Sequence, residues 1–178
     1  MEFLEFPKMP RLAREIIITE KIDGTNAQIA ISDGGQMLVG SRTRWIDPTT
    51  DNHGFARWAF ENAAELVKLG PGRHFGEWWG SGIQRGYGFT KGEKRFSLFN
   101  VLRWQDGRPA CCDVVPVLYR GQFQTSAADE AIEHLRTKGS VAAPGFMKPE
   151  GIVLFHMAGN FGFKRTIEKD ELPKSLAA

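Results

Sequence analysis

The chain has 178 residues, the length of one ordinary domain with enough material to bury a core, and a second full domain is not expected. Lysine and arginine total 23 against 21 aspartate and glutamate, so the formal net charge of +2 excludes a wholesale polyanion binder and confines any nucleic-acid surface to a local patch. Apolar residues at 42% and charged residues at 25% are globular values, and no apolar run nears the roughly 18 residues that cross a bilayer, so a membrane partner is excluded.

Residues 1–7 are acidic and interrupted by Pro7, unlike a signal peptide, so a cytoplasmic location is expected. Runs at 15–19, 27–31 and 36–39 read as strands, with Asp33-Gly34-Gly35 turning the last two into a hairpin. Phe55, Trp58, Ala59, Asn62, Ala63, Leu66 and Val67 recur at helical spacing and predict one amphipathic helix, stopped by Gly70-Pro71-Gly72, with Trp58 as its core anchor. Strands are predicted at 73–79, 95–104, 114–118, 151–156 and 161–166, and a helix at 127–138 ended by Gly139. The tail after Glu168 reads as loosely held. Cys111 and Cys112 are adjacent, which suits neither a disulfide nor a zinc site. Strands in groups with few helices imply an α+β fold with mostly antiparallel sheets.

The chemistry concentrates in Glu20-Lys21-Ile22-Asp23-Gly24, where a lysine at the end of an apolar strand meets an Asp-Gly turn. A rigid element then presents the amine to a loop, which suits a nucleophile, although a lysine beside a turn is more often a solvated charge. Its companions decide between these readings.

Those companions stand in order: Ser41-Arg42, Phe75-Gly76-Glu77, Phe96-Ser97-Leu98-Phe99-Asn100, Glu150-Gly151-Ile152-Val153 and Phe163-Lys164. The set resembles the covalent nucleotidyltransferase superfamily of ATP-dependent ligases and capping enzymes, most closely the small phage-type RNA ligases, over nearly the whole chain. The resemblance implies residues 1–178 as a single minimal nucleotidyltransferase (adenylation) domain, ATP-grasp-like and without an appended carboxy-terminal domain. It further implies ATP and Mg2+ (or Mn2+) as cofactors and RNA ends as partner, with a partner protein as an additional means of holding nucleic acid.

By the same resemblance Lys21 is the nucleophile that becomes Lys21-AMP, and Asp23 orients its loop. Glu77 would bind the ribose hydroxyls, Phe99 would stack on adenine, and Glu20 would accept from the adenine amino group. Asn26 braces the loop, and Glu150 helps hold the metal. A free lysine has a pKa of about 10.4 and must be made neutral before it attacks, so cationic neighbours are expected around Lys21, namely the metal, Arg42 and Lys164. Arg42, Arg44, Arg73, Arg85 and Lys91 are candidates for a phosphate-binding surface.

Two positions depart from the family pattern. Asn100 stands where an aspartate is common, and Arg165 follows Lys164 in place of a second lysine. Three readings remain open at this stage: an RNA ligase joining 5′-phosphate and 3′-hydroxyl ends; an adenylyltransferase for another acceptor or a DNA-end ligase needing a partner; and a binding module without turnover.

Overall fold

The computed structural model describes residues 1–171. In chain order the strands are β1 (Glu15–Lys21), β2 (Thr25–Ile31), β3 (Met37–Ser41), β4 (Trp45–Ile46), β5 (Gly72–Gly80), β6 (Lys94–Leu98), β7 (Asp113–Val114), β8 (Val117–Gln122), β9 (Gly151–His156) and β10 (Phe161–Thr166). The helices are α1 (Phe55–Glu61), α2 (Ala63–Leu66), α3 (Val101–Trp104) and α4 (Thr125–Lys138).

These elements form two sheets. A four-stranded sheet runs β10-β9-β1-β8, antiparallel throughout, and a six-stranded sheet runs β4-β3-β2-β5-β6-β7, antiparallel except for the β6–β7 pair. The α+β, antiparallel-rich architecture expected from the sequence is present.

Alternation along β1 divides its side chains between two faces. Ile16 and Ile18 pack with Ala127, Ala131, Ile132 and Leu135 of α4, each large side chain contributing about 1.5–3 kcal/mol of burial, while Ile17, Thr19 and Lys21 turn to the other face. In the six-stranded sheet, Ala27, Ile29 and Trp78 pack with Phe55, Ala59 and Leu66 of the helices behind it. Asn26, Arg73, Phe75 and Glu77 therefore face forward. Helices cover the rear of both sheets, and the two front faces border a cleft of about 690 Å³.

Three local expectations are corrected. The predicted single helix after residue 55 breaks at Asn62 (φ −105°, ψ 16°), whose side-chain amide donates to the Trp58 carbonyl at 2.8 Å and competes with the helical ladder. The predicted strand at 95–104 stops at Leu98, because Asn100 Oδ1 accepts the Arg103 N–H at 3.1 Å and starts the short helix α3. The predicted strand at 114–118 is two strands in different sheets, β7 and β8, with Pro116 in the gap where a donor is missing. The hairpin of β2 and β3 and the helix ended by Gly139 form as expected. The loose tail expected after Glu168 falls mostly on residues 172–178, outside the described residues.

Candidate active site

β1 ends at Lys21, and register sets its surroundings. Lys21 pairs with Gly151 at the start of β9, so Glu150 arrives beside the amine, and Glu150 Oε2 lies 2.5 Å from Lys21 Nζ. The lysine side chain keeps 20% exposure and the glutamate 7%. The Asp23-Gly24 turn then presses against β5. A Cβ on Gly24 would lie 2.4 Å from the Trp78 carbonyl oxygen, so a residue without a side chain is required there.

Glu77 closes the other side of the pair. Its Oε1 accepts the Gly24 N–H at 3.0 Å and its Oε2 accepts the Asn26 amide at 3.1 Å, a contact prepared by the pairing of Asn26 with Glu77 between β2 and β5. Burial pushes the Glu77 carboxyl up to about 7; the charge of Lys21 and the Gly24 N–H oppose this, and the negative charges of Glu150 and Asp23 add to it. Lys21 therefore sits in the field of several carboxylates. Neither Arg42 nor Lys164 forms a hydrogen bond or ion pair with another described residue.

Lys164 nonetheless projects toward the cleft side. It pairs with Val153, a cleft-lining residue, whereas its neighbour Arg165 pairs with Ile152 on the α4 side and binds Asp129 of α4 at 2.5 Å. Arg165 is thus unavailable as a second phosphate contact. Arg42 is exposed, one residue beyond β3.

Glu20 is held on its other side by the loop after α4. Alternation turns its carboxylate away from Lys21 and behind the sheet, where Ser140 Oγ donates to Oε1 at 2.6 Å and the N–H groups of Val141 and Ala142 donate to Oε2 at 2.8 and 2.9 Å. Those three donors take most of the carboxylate's acceptor capacity and anchor the loop after α4, while Glu20 also counts among the residues lining the cleft. Burial raises its pKa, and these hydrogen bonds hold it back.

Phe99 lines the cleft with 40% exposure, and its N–H donates to the Phe75 carbonyl at 2.9 Å, while Phe96 is fully buried in the core. Phe75, half exposed on the same wall, was not singled out by its sequence context; its signal was its place two residues before Glu77 on an alternating strand. Asp23 is held from two directions, with its N–H donating to the Tyr87 hydroxyl at 2.9 Å and its Oδ2 accepting from Arg85 Nε at 3.1 Å. Burial pushes the Tyr87 hydroxyl up, keeping it neutral. Tyr87 carried no sequence signal beyond its flanking glycines.

The donor set suits a magnesium-type ion. Glu150 and Glu77 are close enough to interact electrostatically beside Lys21, and such an ion takes one or two carboxylates while keeping several waters. Among the described residues no group of three or more histidine, cysteine or acidic side chains is arranged as a closed metal cage.

A cleft between two antiparallel-rich sheets, with a lysine beside two carboxylates, is the site of an α+β domain. The sequence profile described as RNA ligase matches residues 14–169, and the chain belongs to that family. The fold is similar to an RNA ligase of Naegleria gruberi solved with pyrophosphate (TM-score 0.64, 20% identity, covering 86% of this chain and 50% of that one). A structure of that ligase with AMP and manganese aligns at TM-score 0.63 and 19% identity, over 86% and 49% of the two chains. A mutant with ATP and manganese aligns at 0.62 and 19%, over 89% and 52%. The chain spans about half the length of those ligases. No curated protein matches it. No helix among the described residues is long and apolar enough to cross a membrane.

Proposed function

We propose that this chain is an ATP-dependent RNA ligase that works through a covalent lysyl-AMP and joins 5′-phosphate to 3′-hydroxyl ends. Its two-sheet architecture is read as an ATP-grasp-like nucleotidyltransferase domain. The observation that carries this reading is Lys21 Nζ held against Glu150 Oε2 at 2.5 Å at the edge of a cleft of nucleotide size. Membership of the RNA ligase family and the ATP, AMP and manganese bound to its structural neighbours support it.

In the first step Lys21 Nζ attacks the α-phosphorus of ATP. A phosphorus–nitrogen bond forms, the bond to the β-phosphate oxygen breaks, and pyrophosphate leaves. Glu150 Oε2 is within reach to accept the proton that the lysine ammonium must lose. Glu77, fixed by Gly24 and Asn26, presents a carboxylate to the ribose hydroxyls, and Phe99 offers its exposed ring to the base. Lys164, on the cleft side of the edge strand β10, and Arg42 form no hydrogen bond or ion pair among the described residues and are available to phosphate oxygens. Magnesium or manganese, when bound through Glu150, supplies charge neutralisation at those oxygens. AMP then passes to an RNA 5′-phosphate, and a 3′-hydroxyl displaces it.

The test is incubation with α-labelled ATP and magnesium followed by denaturing electrophoresis. The wild type becomes covalently labelled, and Lys21→Ala does not. Label persisting in Lys21→Ala overturns the assignment, and an unlabelled wild type leaves only the binding-module reading.

A further inference from the structure

From the nucleotide cleft, whose lining includes Phe75 and Arg73, the front of the six-stranded sheet continues as an open floor toward β3 and β4. Register places Phe75 of β5, Gln28 of β2, Gly40 of β3 and Trp45 of β4 in one row across four strands. That row spans about 14 Å at the usual strand spacing. Phe75 is 50% and Trp45 44% exposed, and Leu38 in the next row is also open.

The floor is built flat. Gln28 lies over Gly40, where a Cβ would come within 2.8 Å of Gln28 Cγ, and the Gln28 amide donates to the Ser41 carbonyl at 3.3 Å. Arg73 donates to Gln28 Oε1 at 3.4 Å and lays its guanidinium 5.3 Å from the centre of the Trp45 ring. Exposed Arg42 stands at the adjoining strand end. Within the strands β2, β3, β4 and β5 themselves Glu77 is the one acidic residue and its carboxylate is enclosed in the cleft, so the side chains of the open row are aromatic and cationic, with exposed Asp47 just beyond the end of β4.

We infer that this floor seats an unpaired RNA strand leading to the cleft, its bases stacking on Phe75 and Trp45 and its phosphates meeting Arg73 and Arg42. Unstacked bases present flat faces that aromatic side chains take regardless of base identity, whereas a duplex keeps those faces stacked inside and offers backbone and groove. The inference rests on the ligase reading for the direction of the strand, and it makes unpaired 3′-hydroxyl ends the preferred acceptors over nicks in duplex.

The experiment measures fluorescence anisotropy of a labelled single-stranded RNA oligonucleotide, and of the same oligonucleotide annealed into a nicked duplex, without ATP. Trp45→Ala is expected to weaken binding of the single strand about tenfold, Trp45→Phe to retain most of it, and duplex binding to change little. A thermal melt of each variant reports that it is folded. Unchanged single-strand binding in folded Trp45→Ala overturns the inference, as does an equal loss on single strand and duplex. Covalent labelling of the wild type by ATP is scored separately. If labelling fails while the Trp45-dependent preference persists, the ligase reading falls and the binding floor stands; labelling without that preference gives the reverse.

Discussion

Arg85 holds Asp23 through a 3.1 Å contact from Nε to Oδ2, and the same guanidinium donates through Nη1 to the Lys148 carbonyl at 3.0 Å. Asp23 follows Lys21 by two residues and Lys148 precedes Glu150 by two, so one side chain ties together both chain segments that form the Lys21–Glu150 pair. The loop that supplies it is tense. Gln84 (φ 45°) and Tyr87 (φ 50°) both lie in the left-handed region, a cost of about 1–3 kcal/mol each for such residues. The Tyr87 ring, 5.1 Å from that of Trp79 and 4.6 Å from that of Phe146, holds the loop in place.

Arg85→Ala is accordingly expected to slow self-adenylylation by about 10- to 100-fold, mainly in kcat, because the nucleophile is misplaced rather than removed. Arg85→Lys restores part of the rate. The partly exposed ion pair contributes little to stability, about 1 kcal/mol or less, so unfolding changes little. A wild-type rate in Arg85→Ala would assign the clamp to loop structure alone.

On the proposed function, Glu150→Ala removes both the proton acceptor beside Lys21 and a carboxylate for the metal. Labelling should fall on the order of 100-fold and recover in part as magnesium or manganese is raised. A rate that stays flat across the metal titration would remove Glu150 from metal binding.

Glu77 provides a pH signature. Its folded pKa of about 7 lies above the ordinary value of 4.5, so the protonated form is the one the fold favours. The stability associated with it is complete below about pH 4.5 and is lost as pH rises through about 7, a loss of up to about 3 kcal/mol. Glu77→Gln lacks this titration. Urea unfolding at about pH 5 and about pH 8 should show the variant gaining on the wild type with rising pH. Parallel pH profiles for the two proteins would show that Glu77 is not the buried acid described.

How much was legible in the sequence differs from residue to residue. Lys21-Ile22-Asp23-Gly24, Phe75-Gly76-Glu77 and Glu150-Gly151 were readable because their order resembles a known family and because strand alternation and turn chemistry are local; the first and last sit at a strand end and the second within β5. Local reading also found the β2–β3 hairpin and α4. It missed the break at Asn62 and the start of α3 at Asn100, where one side-chain hydrogen bond to the backbone outweighs periodicity.

Only the tertiary structure decided which faces meet. The sequence did not show that Glu20, next to Lys21, bonds Ser140 and the loop after α4, while Glu150, far along the chain, becomes the partner of Lys21. Arg165 and Lys164 differ by one position and point to opposite sides by strand alternation. The row of Phe75, Gln28, Gly40 and Trp45 was invisible in the sequence. Side-chain periodicity states which residues of one strand share a face, but the register between distant strands is set by packing across the whole domain, and that packing brings the carboxylates to the lysine.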